Sequence, residues 1–197
     1  MIIKLSPVRS ESPLTVVKYG DALEVNAVLL DFSQLPDGAS LPAAAVGNEF
    51  VVAPIERING ELVVTLMLPH AADASEATRF PVDLHPADGQ VRLPGLDVVE
   101  RLPATAGAID WSQIVTAEMK QAAAAAELLA SVQAETARLR KIADDAIAPL
   151  QDAMDLGEAT AEEGAELTAW KRYRVALNRL PDQPGYPNEI TWPAPPA

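Results

Sequence analysis

The strongest local signal in the sequence is the pair Asn59-Gly60, which lies between the β-prone runs 51–57 and 62–68. Asn-Gly favours the type I′ turn, whose twist matches that of an antiparallel hairpin. Further short β-prone runs, each bounded by turn-forming residues, occur at 14–18, 22–25, 28–30, 80–84 and 90–93. About six or seven strands at this spacing predict an antiparallel β domain over residues 1–95, either a small sandwich or an open barrel.

The pattern changes in the second half of the chain. Proline and glycine interrupt any period over residues 96–109, which we predict to be a linker. Residues 110–197 are predicted to be helical, with a long helix from Ala117 to about Ile147, roughly 45 Å long at 1.5 Å per residue. Pro149 should bend or end that helix. The sequence therefore predicts an α+β chain, with a β domain followed by a long helix, a shorter helix and an extended proline-rich arm.

The long helix carries a thin apolar stripe. Its members are Leu128, Val132, Leu139, Ile142 and Ala146. A stripe this narrow suits a single helical partner. Two arrangements are consistent with it: a hairpin with the shorter helix of the same chain, or a coiled-coil contact with a second copy or with a fibre. We predict that Val132 and Leu139 make contacts between chains, either in a homo-oligomer or with a partner.

The shorter helix has a start signal and a stop signal. Thr160 and Glu163 have the spacing of a capping box. Pro181 lacks an amide proton, so the helix should end near Arg179 or Leu180. The residues predicted to form its structural core recur at three- and four-residue steps: Trp170, Tyr173, Leu177 and Leu180.

The segment after this helix cannot continue as a helix or as a central strand. Its prolines and glycine predict an extended arm, and its aromatic rings need a surface to cover. We predict that this arm contacts a partner through Pro184, Gly185, Tyr186, Pro187, Trp192 and Pro193.

The order and spacing of several residues in this last part resemble a known family. The pattern comprises Trp170, Tyr173-Arg174, Ala176-Leu177, Leu180-Pro181, Gln183-Pro184-Gly185, Pro187 and Trp192-Pro193. It is similar to the C-terminal module of phage tail assembly chaperones and the related tail fibre assembly proteins, over about residues 160–197.

The resemblance implies a bacteriophage or prophage tail assembly protein. Such a protein would bind a tail fibre or another tail protein and assist its folding, trimerisation or attachment. It would act in the host bacterial cytoplasm during assembly, and retention in the virion tail stays open. The alternative is a structural virion component of the tail tip or fibre, serving as an adaptor or a receptor-binding part. An enzyme is a distant third.

Composition argues against several other classes of function. The chain has no cysteine and a net charge of -13, which excludes thiolate chemistry and disfavours a general nucleic-acid surface. No apolar run is long enough for a bilayer, so no membrane insertion is expected. Nucleotide-binding, zinc-protease and nucleophile-elbow motifs are missing, and His70 and His85 fall at the ends of predicted strands. We therefore expect no catalytic residue, no cofactor and no metal ion.

Overall fold

The computed structural model describes residues 1–96 and 103–196 of the chain. Part of the predicted linker 96–109 thus lies outside the described residues. Contacts divide the chain into two compact units, Met1–Lys120 and Gln121–Ala197. The first is built from strands and the second from helices, which confirms the α+β class. The domain boundaries predicted at 95 and 110 stay predictions.

The first unit contains two sheets. The strands are β1 (Ile2–Arg9), β2 (Val16–Tyr19), β3 (Ala22–Val25), β4 (Val28–Asp31), β5 (Ser40–Leu41), β6 (Ile55–Ile58), β7 (Glu61–His70), β8 (Gly89–Gln90) and β9 (Thr105–Ala106). One sheet has the strand order β1-β7-β6-β5 and the other the order β8-β2-β3-β4-β9. A short helix, α1 (Glu76–Arg79), follows β7, and a 3₁₀ turn at Ala43–Val46 follows β5.

The two-residue turns produce the hairpins that the sequence predicts. Asn59 and Gly60 have φ values of 52° and 80°, and they join β6 to β7 in an antiparallel pair. Asn26 and Ala27 also have positive φ, at 48° and 63°, and they join β3 to β4. Positive φ at both central residues is the type I′ signature, so these two-residue turns set the registers of both hairpins.

The expectation of a purely antiparallel domain is wrong for two strand pairs. β1 pairs with β7 in parallel over its whole length, and β9 pairs with β4 in parallel. Parallel partners need a long connection, and β1 and β7 are separated by the whole of the intervening chain. Turn signals report only on neighbouring strands, which is why they do not reveal either pair.

The predicted strand over residues 80–84 is also absent. Leu84 makes a single antiparallel bridge to Ile3 on β1. Phe80 and Val82 are 72% and 77% exposed. The alternating apolar pattern of this run therefore does not mark a buried face, although it places two large apolar groups in solvent.

Both sheets contribute to one hydrophobic core, which is the arrangement of a sandwich. From β7, alternate residues point inward, and Val64 and Leu66 are fully buried. From the other sheet, Leu23, Val25 and Leu30 join the same cluster. This period of two means that β7 buries one face in the core and leaves the other partly exposed.

Arg57 links the two sheets at one end. It lies on β6, and its Nε donates a hydrogen bond to the carbonyl of Leu35 at 2.7 Å. Its Nη2 donates to the carbonyl of Phe32 at 3.1 Å and to the carboxylate of Asp21 at 2.9 Å. One planar guanidinium thus satisfies two carbonyls and a carboxylate beside the second sheet.

The stretch after the described gap belongs to the first unit. Gly107 N donates to the carbonyl of Leu29 at 2.7 Å, and a Cβ at Gly107 would lie 2.6 Å from a methyl of Leu30. Ser40 and Val115 exchange two backbone hydrogen bonds at 2.9 and 2.8 Å. Trp111 packs against the core of the sandwich. Hydrogen bonds and apolar contacts therefore hold residues 105–115 on the β unit.

Two long helices follow, α2 (Ala117–Leu156) and α3 (Ala161–Asn178), and α3 leads into a 3₁₀ turn at Leu180–Asp182. The end of the long helix predicted at about Ile147 is wrong, because α2 continues through Pro149 to Leu156. Ile147 is buried just before Pro149, and Gln151 accepts a hydrogen bond from Lys171 just after it. Contacts on both sides thus hold the helix across the missing backbone hydrogen bond.

Candidate partner-binding site

In the second unit, helix α3 begins with a hydrogen-bonded cap. The Thr160 hydroxyl accepts from the amide of Glu163 at 3.2 Å, and the Glu163 carboxylate accepts from the amide of Thr160 at 2.7 Å. This is the predicted capping box, and it is confirmed. The amide of Thr160 and its hydroxyl lower the pKa of Glu163 below its ordinary value, because both donate to the ionised carboxylate.

An apolar cluster joins α3 to α2. Its buried members are Ala143, Tyr173, Leu177 and Leu180. Around this C-terminal cluster pack the partly buried side chains of Leu139, Trp170, Tyr186 and Ile190. The rings of Trp170 and Tyr173 meet edge to face, with centroids 5.8 Å apart. The structure thus brings together all four residues predicted as the helical core, with Trp170 at its rim.

Polar contacts reinforce this helical hairpin. Arg174 Nη1 donates to the Asp144 carboxylate at 2.7 Å. Lys171 Nζ donates to the side-chain amide oxygen of Gln151. The later residue of α3 pairs with the earlier residue of α2, so the two helices are antiparallel neighbours. The intramolecular alternative for the apolar stripe is therefore present in the structure.

The buried stripe of α2 differs in part from the predicted one. Val132 is 8% exposed, Ala143 is fully buried and Ile147 is 6% exposed, whereas Ile142 is 42% exposed. The predicted stripe runs through Ile142, one residue before the buried Ala143. From Leu139, a step of three residues leads to Ile142 and a step of four leads to Ala143, and both steps fit an amphipathic helix. Packing against α3 determines that Ala143 is the buried residue.

Val132 and Leu139 both lie on the inward side of α2. Val132 is buried in the single chain, and Leu139 packs against the C-terminal cluster. Contacts of these two side chains with a second chain stay a prediction. The geometry favours their use within the chain.

The predicted extended arm is not confirmed, because its first part forms a closed loop over residues 183–191. The side-chain amide of Gln183 donates to the carbonyl of Thr191 at 2.9 Å and accepts from its amide at 2.8 Å. Within the loop, Gly185 has a φ of 91°, and its carbonyl accepts from the amides of Asn188 and Glu189. Turns therefore replace the extended backbone, and Gln183 closes the loop at its base.

The loop divides the predicted partner residues into two groups. Tyr186 turns inward onto the C-terminal cluster, and Pro187 and Pro193 are partly buried. Pro184 and Gly185 are exposed, and Trp192 is 37% exposed just beyond the closed base. The structure thus presents Trp192 to solvent beside a fixed loop.

The opposite face of α3 forms a groove that sequence reasoning did not assign to a site. Its lining includes Lys171, Arg172, Val175, Ala176 and Arg179, and it reaches Gln183 at the base of the loop. The groove has a volume of about 650 Å³. The sequence does contain a signal for this groove. Helical spacing places Lys171, Arg172 and Arg179 away from the apolar face of α3. We call this groove the basic groove.

Other kinds of site find little support in the described part of the chain. None of the described helices is long and apolar enough to cross a membrane. Within residues 1–96 and 103–196, no three histidine or carboxylate side chains are grouped so that they could hold a metal ion. His70 Nδ1 lies 2.8 Å from the carbonyl of Ala71.

Comparison with known families matches the C-terminal part of the chain, which includes the helical unit. The profile of the Caudovirales tail fibre assembly protein family, lambda gpK, matches residues 88–197, which is more than half of the chain. The chain belongs to this family. The resemblance read from Trp170 to Pro193 is confirmed, and the match reaches further back, through β8 and β9 of the first unit.

Individual relatives match shorter stretches. A protein of Acyrthosiphon pisum secondary endosymbiont phage 1 named "Probable tail fiber assembly protein" is 49% identical over 70 residues, 36% of this chain and 44% of its own length. The tail fiber assembly protein of Escherichia phage lambda is 55% identical over 58 residues, 29% of each chain. The chain thus matches less than half the length of these relatives. No solved structure shows significant similarity to it.

Proposed function

We propose that this protein assists the assembly of a phage tail. It binds a tail fibre or another tail protein and promotes that protein's folding, trimerisation or attachment, in the cytoplasm of the host bacterium. The proposal is supported above all by membership of the tail fibre assembly family over residues 88–197. The role is one of binding, and no residue is assigned to catalysis.

The exposed part of the C-terminal segment provides a contact surface for such a partner. Trp192 follows a loop that Gln183 holds shut, so its position costs little further ordering on binding. Large aromatic side chains of this kind are frequent anchors in protein interfaces. We assign partner contact to Trp192, Pro184 and Gly185, with Tyr186, Pro187 and Pro193 supporting the shape of the loop.

The test is co-production of the protein with tail fibre proteins of its phage. In Trp192→Ala the helical unit should keep its stability, because Trp192 is outside the C-terminal cluster, while the yield of soluble, trimeric fibre should fall several-fold. Fibre yield can be measured by gel filtration after co-purification.

Ile142→Ala is the matched control, since Ile142 is 42% exposed and lies on the same unit. It should leave the fibre yield unchanged. Unchanged yield in Trp192→Ala would remove Trp192 from the contact surface. Equal yields with and without the protein itself would refute the assembly role as a whole.

A structural role in the virion is the second candidate, and the N-terminal part of the chain favours it. Residues 1–87 precede the family match, yet they supply most of a sandwich with its own core. Such a unit can dock to the tail or bind a receptor. Purified particles distinguish the two roles: a stoichiometric amount of this protein in mature virions supports the structural role, and its absence supports the assembly role.

A homo-oligomer through Val132 and Leu139 is a further proposal about the same protein. It would require both side chains to exchange their contacts within the chain for contacts with a second copy. Sedimentation velocity decides the point. A mass that rises with concentration supports the oligomer, whereas a constant mass of 20.9 kDa refutes it.

A further inference from the structure

The basic groove combines exposed positive charge with an apolar floor. Arg172 and Arg179 are exposed, and Val175 is 45% exposed between them. Arg172 and Arg179 are seven residues apart on the helical path, which places them on one face and about 10.5 Å apart along the axis. Lys171 lies beside Arg172 and adds a third cation.

Arg172 and Arg179 form no ion pair with a described carboxylate, whereas six other described cationic side chains do. Lys18, Arg57, Lys120, Arg138, Lys141 and Arg174 all form ion pairs within the chain. Neither Arg172 nor Arg179 forms an ion pair with another described residue, and Lys171 donates to the neutral amide of Gln151. The groove therefore keeps a net positive charge in a chain whose net charge is -13.

We propose that the basic groove binds an acidic segment of the partner protein. The segment would place two carboxylates about 10 Å apart, opposite Arg172 and Arg179, with an apolar side chain between them on Val175 and Ala176. This inference rests on the proposed assembly function and names a second surface for the same partner.

The charge distribution would also direct such a segment to this face. Acidic surface elsewhere on the chain repels carboxylates, so an acidic partner gains most where cations without carboxylate partners line one groove together. Exposed ion pairs contribute modestly, and salt screens them over roughly 8 Å at physiological ionic strength. Binding should therefore weaken as the salt concentration rises. The apolar contact with Val175 should provide a contribution to affinity that salt does not remove.

The apolar floor favours a protein segment over a phosphate-bearing ligand. A nucleic acid or a headgroup would use the cations but would leave Val175 and Ala176 uncovered. A peptide side chain such as leucine covers both and buries apolar area. The position of the groove beside Gln183 also places it next to the loop that precedes Trp192.

The experiment uses the full-length protein and a labelled helical peptide that carries two glutamates two turns apart with a leucine between them. The same peptide with glutamines is the comparison ligand. In fluorescence anisotropy, Arg172→Glu and Arg179→Glu should each bind the glutamate peptide about tenfold more weakly than the parent protein does. Each replacement puts a carboxylate, which repels the peptide glutamates, in place of a guanidinium that attracts them. Arg140→Glu is the matched control, an exposed arginine on α2, and should bind like the parent protein.

Because glutamate at the C-terminal end of α3 opposes the helix dipole, Arg179→Gln accompanies Arg179→Glu. It should fold like the parent and bind about threefold less tightly. The inference is overturned if the glutamine peptide binds equally well, or if both glutamate variants keep their affinity. Equally tight binding of a short DNA duplex would overturn it in favour of a general phosphate site.

Co-production with the fibre separates this inference from the proposed function. If Arg172→Glu loses peptide binding and also lowers the fibre yield, the groove serves assembly. If peptide binding is lost while the fibre yield stays complete, the groove has no part in assembly, and the proposed function stands on its own test with Trp192→Ala.

Discussion

At the scale of single residues, the most reliable signals are those whose physical cause is local. Asn59 and Gly60 take positive φ because glycine, and to a lesser degree asparagine, tolerate it. Ala27 takes a φ of 63° without that tolerance. The hairpin between β3 and β4 forms nevertheless, with Leu23 and Leu30 paired and buried. Packing thus outweighs a poor turn residue, which sequence alone does not show.

Gln183 is a residue whose function could not be predicted locally. Its side chain binds the backbone of Thr191, eight positions later, and so turns an expected arm into a closed loop. Proline and glycine positions indicated only that regular structure ends there. They do not specify where the chain returns.

Leu177 should be a principal stabilising residue of the helical unit. It is fully buried in the C-terminal cluster, so Leu177→Ala should lower the free energy of unfolding by about 2 to 5 kcal/mol through lost burial and a residual cavity. Val175→Ala, on the exposed face of the same helix, should change it by less than about 0.5 kcal/mol. Thermal melts monitored by helical circular dichroism measure both. Similar losses in the two variants would mean that α3 packs on another face.

At the scale of elements, helices were predicted better than strands. The start and end of α3 follow from Thr160, Glu163 and Pro181, all within a turn of the boundary they set. β1 was not predicted, because its partner β7 lies far along the chain and Pro7 lies within it. Proline is accepted at such an edge position, where one backbone donor is not needed for the ladder.

The capping box should make the stability of α3 depend on pH in one direction. The folded state lowers the pKa of Glu163 below its unfolded value, which is near 4.5. Its stabilisation is therefore complete above that pH and is lost as pH falls through the folded pKa. Glu163→Gln should melt at a lower temperature than the parent near neutral pH, and the difference should shrink in acid.

Glu162→Gln is the control for this pH dependence, since Glu162 lies in the same first turn but is not part of the capping box. Its difference from the parent should vary less with pH. A gap between Glu163→Gln and the parent that stays constant from neutral pH to pH 3 would show that the ionised carboxylate adds nothing to the cap.

At the scale of the whole molecule, the family match and the compact units do not coincide. The match begins at residue 88, whereas the units divide between Lys120 and Gln121. The family segment therefore includes β8, β9 and residues 110–120, which belong to the β unit. Sequence resemblance pointed to the last third of the chain because its aromatic and proline residues are the recognisable ones. The apolar and backbone contacts of residues 105–115 leave no comparable signature.

These contacts predict where the first unit can be separated from the second. A fragment of residues 1–120 should fold alone with a cooperative thermal transition. A fragment of residues 1–95 loses β9, the Ser40–Val115 bridge and the packing of Trp111 and Ile114 on the core. Full burial of two large apolar side chains contributes about 3 to 6 kcal/mol as an upper estimate, and Trp111 and Ile114 are partly buried, so this shorter fragment should be less stable by roughly 3 kcal/mol.

Urea titration of both fragments measures this difference. Unfolding is followed by far-ultraviolet circular dichroism, which does not depend on Trp111. The longer fragment extended by further residues of α2, to residue 131, provides the control, because those residues are almost all exposed and should add little. Equal midpoints for fragments 1–95 and 1–120 would place the end of the β unit before β9 and support the predicted linker over residues 96–109. A higher midpoint for the longer fragment would instead mean that the tail fibre assembly segment begins inside the sandwich, with its first strands serving as part of the β core.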